Sequence, residues 1–149
     1  MAPARRGADN LRDDMADTDD LHTILGKFGG PREQAIAAAY ALVSVYDSKV
    51  DDAELGRFVE IAMESGFTRR PAELSSGMTE LVAALDADRD KGDPVAFSAI
   101  EAVKGDEAAV QAVRKSAKEA VLADQRVDVR ERLVLREIAE RLGLDPNTI

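Results

Sequence analysis

The sequence predicts an all-α protein, a single-domain bundle of about seven helices. Ala is the commonest residue, with 25 copies among 149 positions, and aromatic residues make up only 4%. Apolar residues recur with the spacing of helices rather than with the alternation of strands. The chain is long enough to bury a core without cross-links, and it contains no Cys. Disulfides and thiolate metal sites are therefore excluded.

The N-terminal part of the chain divides into a polar segment and the first two helices. Residues 1–17 are predicted to be disordered because the segment is mostly polar, and the domain covers 18–149. The first helix is predicted from Asp19 to Phe28. Pro31 then starts the second helix, where its missing N–H costs nothing. Residues Ala35 to Tyr46 are apolar nearly all round, which predicts a buried central helix.

The middle of the chain has the apolar stripes of three further helices. The third is predicted from Asp51 to Ser65 and the fourth from Pro71 to Asp88. Asp93-Pro94 has the composition of an N-cap followed by a first helical residue. We therefore predict that the fifth helix begins there and extends to Val103.

The last two helices are predicted from Asp106 to Asp124 and from Asp128 to Leu142. Gly66 and Gly143 follow the third and the seventh helix, at the position where a helix commonly ends in a left-handed residue. The connections between the helices are short, which favours antiparallel packing of neighbours into a bundle.

The charge of the chain limits the classes of partner. A net charge of -9 disfavours nucleic acid, because phosphate binding requires clustered Lys and Arg.

There is no secretory h-region and no run of 18 apolar residues, so we expect a cytoplasmic protein without membrane insertion. No nucleophile or phosphate-binding loop accompanies the acidic residues, and catalysis is not expected.

One segment of the sequence occurs twice in altered form. Residues 47–67 align with residues 124–144 at a constant offset of 77, and eight of the 21 positions are identical. Both copies begin with the pattern D-x-[KR]-V-D-x-x-E. The repeat predicts that the second and third helices are a duplicate of the sixth and seventh.

Each copy places three acids at the junction between two helices, which we call the first corner and the second corner. Asp51 and Asp128 have N-cap positions with a Glu three residues later, the spacing of a capping box. Helix capping alone therefore explains part of the pattern. The first corner contains Asp47, Asp51 and Glu54, and the second contains Asp124, Asp128 and Glu131.

Asp47 and Asp124 are not explained by capping. Each is predicted in the last turn of a helix, where the macrodipole disfavours an anion. Lys49 and Arg126 could compensate this charge, and so could a bound metal ion. Carboxylates without His or Cys prefer a hard cation such as Ca²⁺, Mg²⁺ or Mn²⁺. Metal binding and capping by solvated acids are both open interpretations of the two corners.

The repeated segment resembles the tellurite-resistance TerB-like family, in which a duplicated helical hairpin carries D-G-x-[IV]-x-x-x-E and an apolar helix ending in L-G-L. Residues 124–144 are the closer match and residues 47–67 the looser one, and the resemblance covers residues 31–144. Ser48 and Gln125 replace the family Gly, which could alter both sites. The resemblance implies an all-helical cytoplasmic protein with no assigned reaction. It also implies that the six acids of the two corners bind a divalent metal in a tellurite-resistance or stress response.

The predicted partners are other proteins of such a stress-response system. Val129, Leu133 and Val134 make the seventh helix apolar on more than one face. These residues either pack against the N-terminal helix or form a docking surface for a partner or a second copy of the chain. The alternative function is a metal-independent interaction scaffold whose acidic corners only cap helices.

Overall fold

A computed structural model describes residues 20–45, 51–124 and 129–147, without the side chains of 123 and 124. Within these ranges it contains seven helices and no strand, which confirms the all-α prediction. None of the described helices is both long and apolar enough to cross a membrane. The helices are α1 (20–26), α2 (Pro31–Ser44), α3 (Asp52–Glu64), α4 (Pro71–Ala87), α5 (Arg89–Glu101), α6 (Glu107–Asp124) and α7 (Val129–Arg141).

Helix α2 is the centre of the bundle, as its sequence predicts. Its residues from Ala35 to Ser44 are all buried, and the helix contacts α3, α4, α5, α6 and α7. Five of these ten residues are Ala, whose small side chains let neighbouring helices approach closely. Because other helices cover α2 on every side, the free energy gained by burying its side chains depends on contacts with several helices at once.

The start of α5 differs from the prediction. The helix begins at Arg89 and not at Asp93-Pro94, because the carboxylate of Asp88 caps it by accepting a hydrogen bond from the Lys91 N–H at 3.2 Å. Pro94 consequently lies inside the helix. The Arg89 guanidinium binds the Asp93 carboxylate through two hydrogen bonds of 2.8 and 3.0 Å. An i,i+4 ion pair of this kind stabilises the turn in which Pro94 withholds a donor.

The two repeated segments end in the same way. Gly66 and Gly143 both have positive φ angles, +86° and +75°, and each follows the last turn of its helix. This is a Schellman ending, in which the residue after the Gly donates back to the carbonyl five residues earlier. The predicted duplication is consistent with these matched ends. The closing bonds run from Phe67 N to Ala62 O at 3.0 Å and from Leu144 N to Ala139 O at 2.9 Å.

The largest aromatic cluster of the core surrounds Phe58 on α3. Its ring contacts Phe28 and Phe67 edge-on, with centroids 5.7 and 6.2 Å away, and lies tilted against Tyr40 at 5.3 Å. Phe58 is fully buried. These ring contacts hold α1, α2 and α3 together, because aromatic pairs in such geometries add to the free energy gained by burial.

Helix α3 runs antiparallel to α6. Arg57 Nη2 lies 2.9 Å from Glu119 Oε1, and Lys115 Nζ lies 2.9 Å from Glu64 Oε2. Arg57 is five residues after the first residue of α3, and Glu119 is five residues before the last residue of α6. With a helical rise of about 1.5 Å per residue, the first turn of α3 and the last turn of α6 lie at the same level.

Helix α2 runs parallel to α6. The Ser116 hydroxyl donates to the Ile36 carbonyl at 3.0 Å. One turn further along α2, the Tyr40 hydroxyl donates to the Glu54 carbonyl in the first turn of α3, which lies level with the last turn of α6. The C-terminal ends of α2 and α6 therefore lie at the same end of the bundle, beside the first turn of α3. Four residues separate the end of α6 from the start of α7. We call this part of the molecule the acidic end.

Two helical glycines provide a matched test of the packing. A Cβ at Gly92 would lie 2.8 Å from Leu85 Cδ2 and 3.4 Å from Leu21 Cδ1, whereas a Cβ at Gly56 would meet nothing within 4 Å. We expect Gly92→Ala to lower the free energy of unfolding, because overpacking costs about 1–3 kcal/mol. Gly56→Ala should raise it by about 0.5–1 kcal/mol through helix propensity. Urea denaturation measures both, and a stabilised Gly92→Ala variant would contradict the packing of α4 on α5.

Candidate functional site

The first corner contains one exposed acid and one buried acid within the described residues. The Asp51 carboxylate accepts a hydrogen bond from the Glu54 N–H at 2.8 Å and caps α3, which confirms the predicted cap. Glu54 itself lies in the first turn of α3 with only 4% of its surface exposed. Capping explains Asp51, but it does not explain why the Glu54 side chain is buried.

The second corner repeats this burial. Glu131, the counterpart of Glu54, lies in the first turn of α7 and is 2% exposed. In the part of the chain that the structure describes, these two Glu are the only buried acids. Burial of a carboxylate is costly unless positive charge or hydrogen bonds compensate for it. The two copies of the repeat thus share an unusual feature that the sequence did not predict.

Part of the predicted site lies outside the described residues. The structure describes the backbone of α6 as far as its last residue, Asp124, but not the side chain of that residue. The remaining side chains of the described ranges contain no group of three or more acids or His in a position to hold a metal ion. The predicted residues outside the description are segment 1–17, Asp47, Ser48, Lys49, Gln125, Arg126, Asp128 and the side chain of Asp124.

Tyr40 anchors the first corner from α2. Its hydroxyl donates to the Glu54 carbonyl at 2.8 Å, and the residue is fully buried. Burial raises the pKa of the Tyr40 phenol above its usual value, and the negative charge of Glu54 adds to this effect. The hydrogen bond fixes the first turn of α3 against α2. Sequence analysis missed this residue, although a Tyr in an otherwise apolar helix indicates that a buried hydroxyl needs an acceptor.

An ion-pair seam joins α3 to α6 beside the first corner. The Arg57 guanidinium binds Glu119 through Nε at 3.0 Å and Nη2 at 2.9 Å, and its Nη1 lies 2.7 Å from Glu60 Oε2. Its hydrogen bonds to the carboxylates of Glu119 and Glu60 raise the pKa of the Arg57 guanidinium, and the bond from Arg57 lowers the pKa of Glu119. Sequence alone could not pair Arg57 with Glu119, because they are 62 positions apart.

The residues present fit a hard divalent cation. The six predicted donors are all carboxylates, which is the ligand chemistry that Ca²⁺ and Mg²⁺ prefer. Two of them, Glu54 and Glu131, are buried at the helix starts of the two corners. The C-terminal ends of α2 and α6 add the negative ends of two helix dipoles to the same region. The acidic end therefore combines oxygen donors with a negative local potential.

The predicted apolar face of α7 is only partly exposed. Val129 and Leu133 are 72% and 57% exposed, and Leu122 near the end of α6 is 68% exposed. Val134 is 6% exposed and packs in the core, so of the three residues only Val129 and Leu133 are available to a docking surface. The physical reason is the helical period, since Val134 lies on the same side of α7 as the buried Ile138.

Comparison with protein families gives one match. The family model described as tellurite resistance protein TerB matches residues 33–149. This range includes both corners, α2 apart from its first two residues, and the helices α3 to α7. No curated protein and no solved structure matches the sequence.

Proposed function

The chain belongs to the tellurite resistance protein TerB family, and from this premise we propose that it binds a divalent cation at the acidic end. In this proposal it acts as a sensor or interaction module of a bacterial tellurite-resistance or stress response. It works in the cytoplasm with other proteins of that response and catalyses no reaction. The cation is Ca²⁺, Mg²⁺ or Mn²⁺, held by Asp47, Asp51, Glu54, Asp124, Asp128 and Glu131.

One observation carries this proposal. Glu54 and Glu131 are equivalent in the sequence repeat, lie in equivalent first turns and are both buried. Helix capping needs a side-chain acceptor at the N-cap but does not require burial of the acid three residues later. A bound divalent cation would supply positive charge to such carboxylates. Their shared burial supports a cation-holding role over capping alone.

The residues around the first corner have distinct parts in this proposal. Asp51 fixes the start of α3 by capping it, and Tyr40 holds the same turn against α2. The seam of Arg57 and Glu119 fixes the distance between α3 and α6. Rigid support of this kind places the Glu54 carboxylate with little freedom, so that less conformational entropy is lost when it binds a ligand.

Thermal melting of the metal-stripped protein tests the proposal. We expect Ca²⁺, Mg²⁺ or Mn²⁺ to raise the melting temperature, because a ligand of the native state stabilises it by mass action. An Asp47→Asn, Asp124→Asn double variant should show little or no rise. An unchanged melting temperature at millimolar concentrations of all three metals would refute the proposal.

The second candidate function is a metal-independent interaction scaffold. The exposure of Leu122, Val129 and Leu133 favours it. Val129 and Leu133 are one turn apart on α7, and exposed apolar patches often mark a protein contact. The partner would be another protein or a second copy of this chain. In that case partner binding would persist in the metal-stripped protein, and the acidic corners would serve only as helix caps.

A further inference from the structure

The first two turns of α7 carry a stripe of exposed side chains. Successive helical residues are about 100° apart, so Val129, Arg132, Leu133 and Arg136 fall within an arc of about 100° on one side of the helix. All four are exposed, and two of them are large apolar residues. We call these four residues the α7 stripe. Apolar side chains grouped in this way on a surface often mark a contact with another molecule.

The charge of this surface is opposite to that of the whole chain. Arg130, Arg132 and Arg136 are exposed, whereas Glu131, the only acid of these two turns, is buried. Glu140, one turn further along the same side, ends the basic surface. In a chain with a net charge of -9, the first two turns of α7 thus present positive charge together with apolar area. The chemistry that complements them is negative charge together with apolar area.

The fold holds the stripe in place and leaves it uncovered. The opposite face of α7 is buried. Arg141 fixes the end of the helix to α5, with Nη1 3.2 Å from Glu101 Oε2 and the guanidinium 5.4 Å from the centre of the Phe97 ring. Helix α1 packs elsewhere, with Leu21 beside Gly92 of α5, and the stripe stays exposed. A helix face held rigidly in this way loses little conformational entropy when it binds a partner.

We propose that the α7 stripe is a docking surface for an acidic amphipathic helix of another protein. The apolar side of that helix packs on Val129 and Leu133, and its carboxylates pair with Arg132 and Arg136. This inference rests on the interaction role in the proposed function and not on cation binding. Arg suits such a contact because its guanidinium binds a carboxylate through two parallel hydrogen bonds. Recognition of an amphipathic helix through its apolar side is a common mode of peptide binding.

Charge complementarity favours this occupant over a second copy of the chain. Two copies packed through the same stripe would bring Arg132 and Arg136 of each copy against those of the other, and like charges across an interface oppose binding.

Charge also favours a partner helix over an anionic membrane. A membrane is an extended surface, which would repel the rest of a chain with a net charge of -9. A single partner helix covers only the stripe, and charges further away than about 8 Å are largely screened at physiological ionic strength.

Fluorescence anisotropy of a labelled peptide tests the proposal with the full-length chain. The probe is a synthetic amphipathic helix of about 18 residues, with Leu along one side and Glu beside it. The comparison peptide has Lys in place of every Glu. We expect the chain to bind the Glu peptide and not the Lys peptide. An Arg132→Glu, Arg136→Glu variant should bind the Glu peptide about tenfold more weakly, because Arg side chains often dominate the affinity of an interface, and it should bind the Lys peptide instead.

Exposed residues elsewhere on the chain provide matched controls. Leu133→Ser should weaken binding of the Glu peptide, whereas Met63→Ser, which changes an exposed apolar residue of α3, should not. An Arg69→Glu, Arg70→Glu variant makes the same change of charge at two exposed Arg before α4, and it should keep the full affinity. Substitutions at exposed positions rarely prevent folding, so all of these variants are suitable for the comparison.

Four results would overturn the proposal. The first is that neither peptide binds or that both bind equally, and the second is that the control variants weaken binding as much as the stripe variants. The third is a dimer, detected by analytical ultracentrifugation, that Leu133→Ser dissociates, because the stripe then belongs to a second copy. The fourth is binding to phosphatidylglycerol vesicles, but not to the Glu peptide, that Leu133→Ser abolishes, because the stripe then faces a membrane.

The peptide test is separate from the test of cation binding. If the Glu peptide fails to bind while metal still raises the melting temperature, only the docking surface is overturned. If the peptide binds as expected and no metal raises the melting temperature, cation binding fails and the docking surface stands.

Discussion

Phe58→Ala should be among the most damaging single substitutions in this protein, lowering the free energy of unfolding by about 3–5 kcal/mol. Phe58 is fully buried and its ring contacts Phe28, Tyr40 and Phe67. Its loss leaves a cavity between three helices that small Ala side chains on α2 cannot fill. For a chain of this size, each kcal/mol corresponds to about 2–4 °C in melting temperature.

Met63 provides the control for this prediction. It lies on the same helix, α3, but is half exposed. We expect Met63→Ala to change the free energy of unfolding by about 0.5 kcal/mol or less, as is usual for surface substitutions. Chemical denaturation followed by circular dichroism measures both variants. Equal effects of the two substitutions would show that the aromatic cluster is not the centre of stability.

The second large effect concerns the two buried acids. At a cation concentration 100-fold above the dissociation constant, binding should stabilise the native chain by about 2.7 kcal/mol. In a Glu54→Gln, Glu131→Gln double variant this stabilisation should disappear, because Gln has nearly the same shape but no negative charge. The measurement is the difference in unfolding free energy with and without the cation, which separates ligand binding from any change in the metal-free protein.

Two exposed acids in equivalent helical positions control for a general loss of charge. Glu73 lies in the first turn of α4 and Glu107 in the first turn of α6, and both are exposed. A Glu73→Gln, Glu107→Gln variant should keep the full response to the cation. If it loses the response as well, the cation acts through overall charge and not through the buried carboxylates.

The sequence allowed the fold to be predicted because its helix boundaries have local physical causes. Pro31 and Pro71 begin helices, Asp51 caps one, and Gly66 and Gly143 end two. Each of these effects depends on neighbouring residues only, so it can be read from a few positions. The fifth helix was the exception. Asp88 and Asp93 are both potential caps, and in the structure Asp88 caps the helix whereas Asp93 binds Arg89.

The site was less predictable because burial is a property of the whole fold. The repeat identified Glu54 and Glu131, and the spacing indicated capping, but spacing does not reveal that a carboxylate is buried. Tyr40 was missed for a related reason. It lies within a helix that the sequence shows only as apolar, and its importance depends on the Glu54 carbonyl that its hydroxyl meets on α3.

The features that the two repeated segments share depend mostly on residues close in sequence. The contacts that distinguish the two segments join residues far apart in sequence. The Schellman endings and the buried Glu occur in both copies. The Arg57–Glu119 pair occurs only at the first corner, since the equivalent positions are the apolar Val134 and Leu42. The two repeated segments have the same helix ends and differ in how they pack.

The parallel contact between α2 and α6 also constrains how the chain folds during synthesis. Ile36 and Ser116 are 80 positions apart, so the ribosome completes α2 long before its main covering helix exists. Contacts between such distant positions slow folding and leave apolar surface exposed in the meantime. Before α6 is synthesised, helices α1 to α5 form an incomplete domain in which one side of the apolar α2 is uncovered. The nascent chain thus becomes vulnerable to aggregation until α6 emerges, and a break between α5 and α6 would leave neither part able to fold by itself.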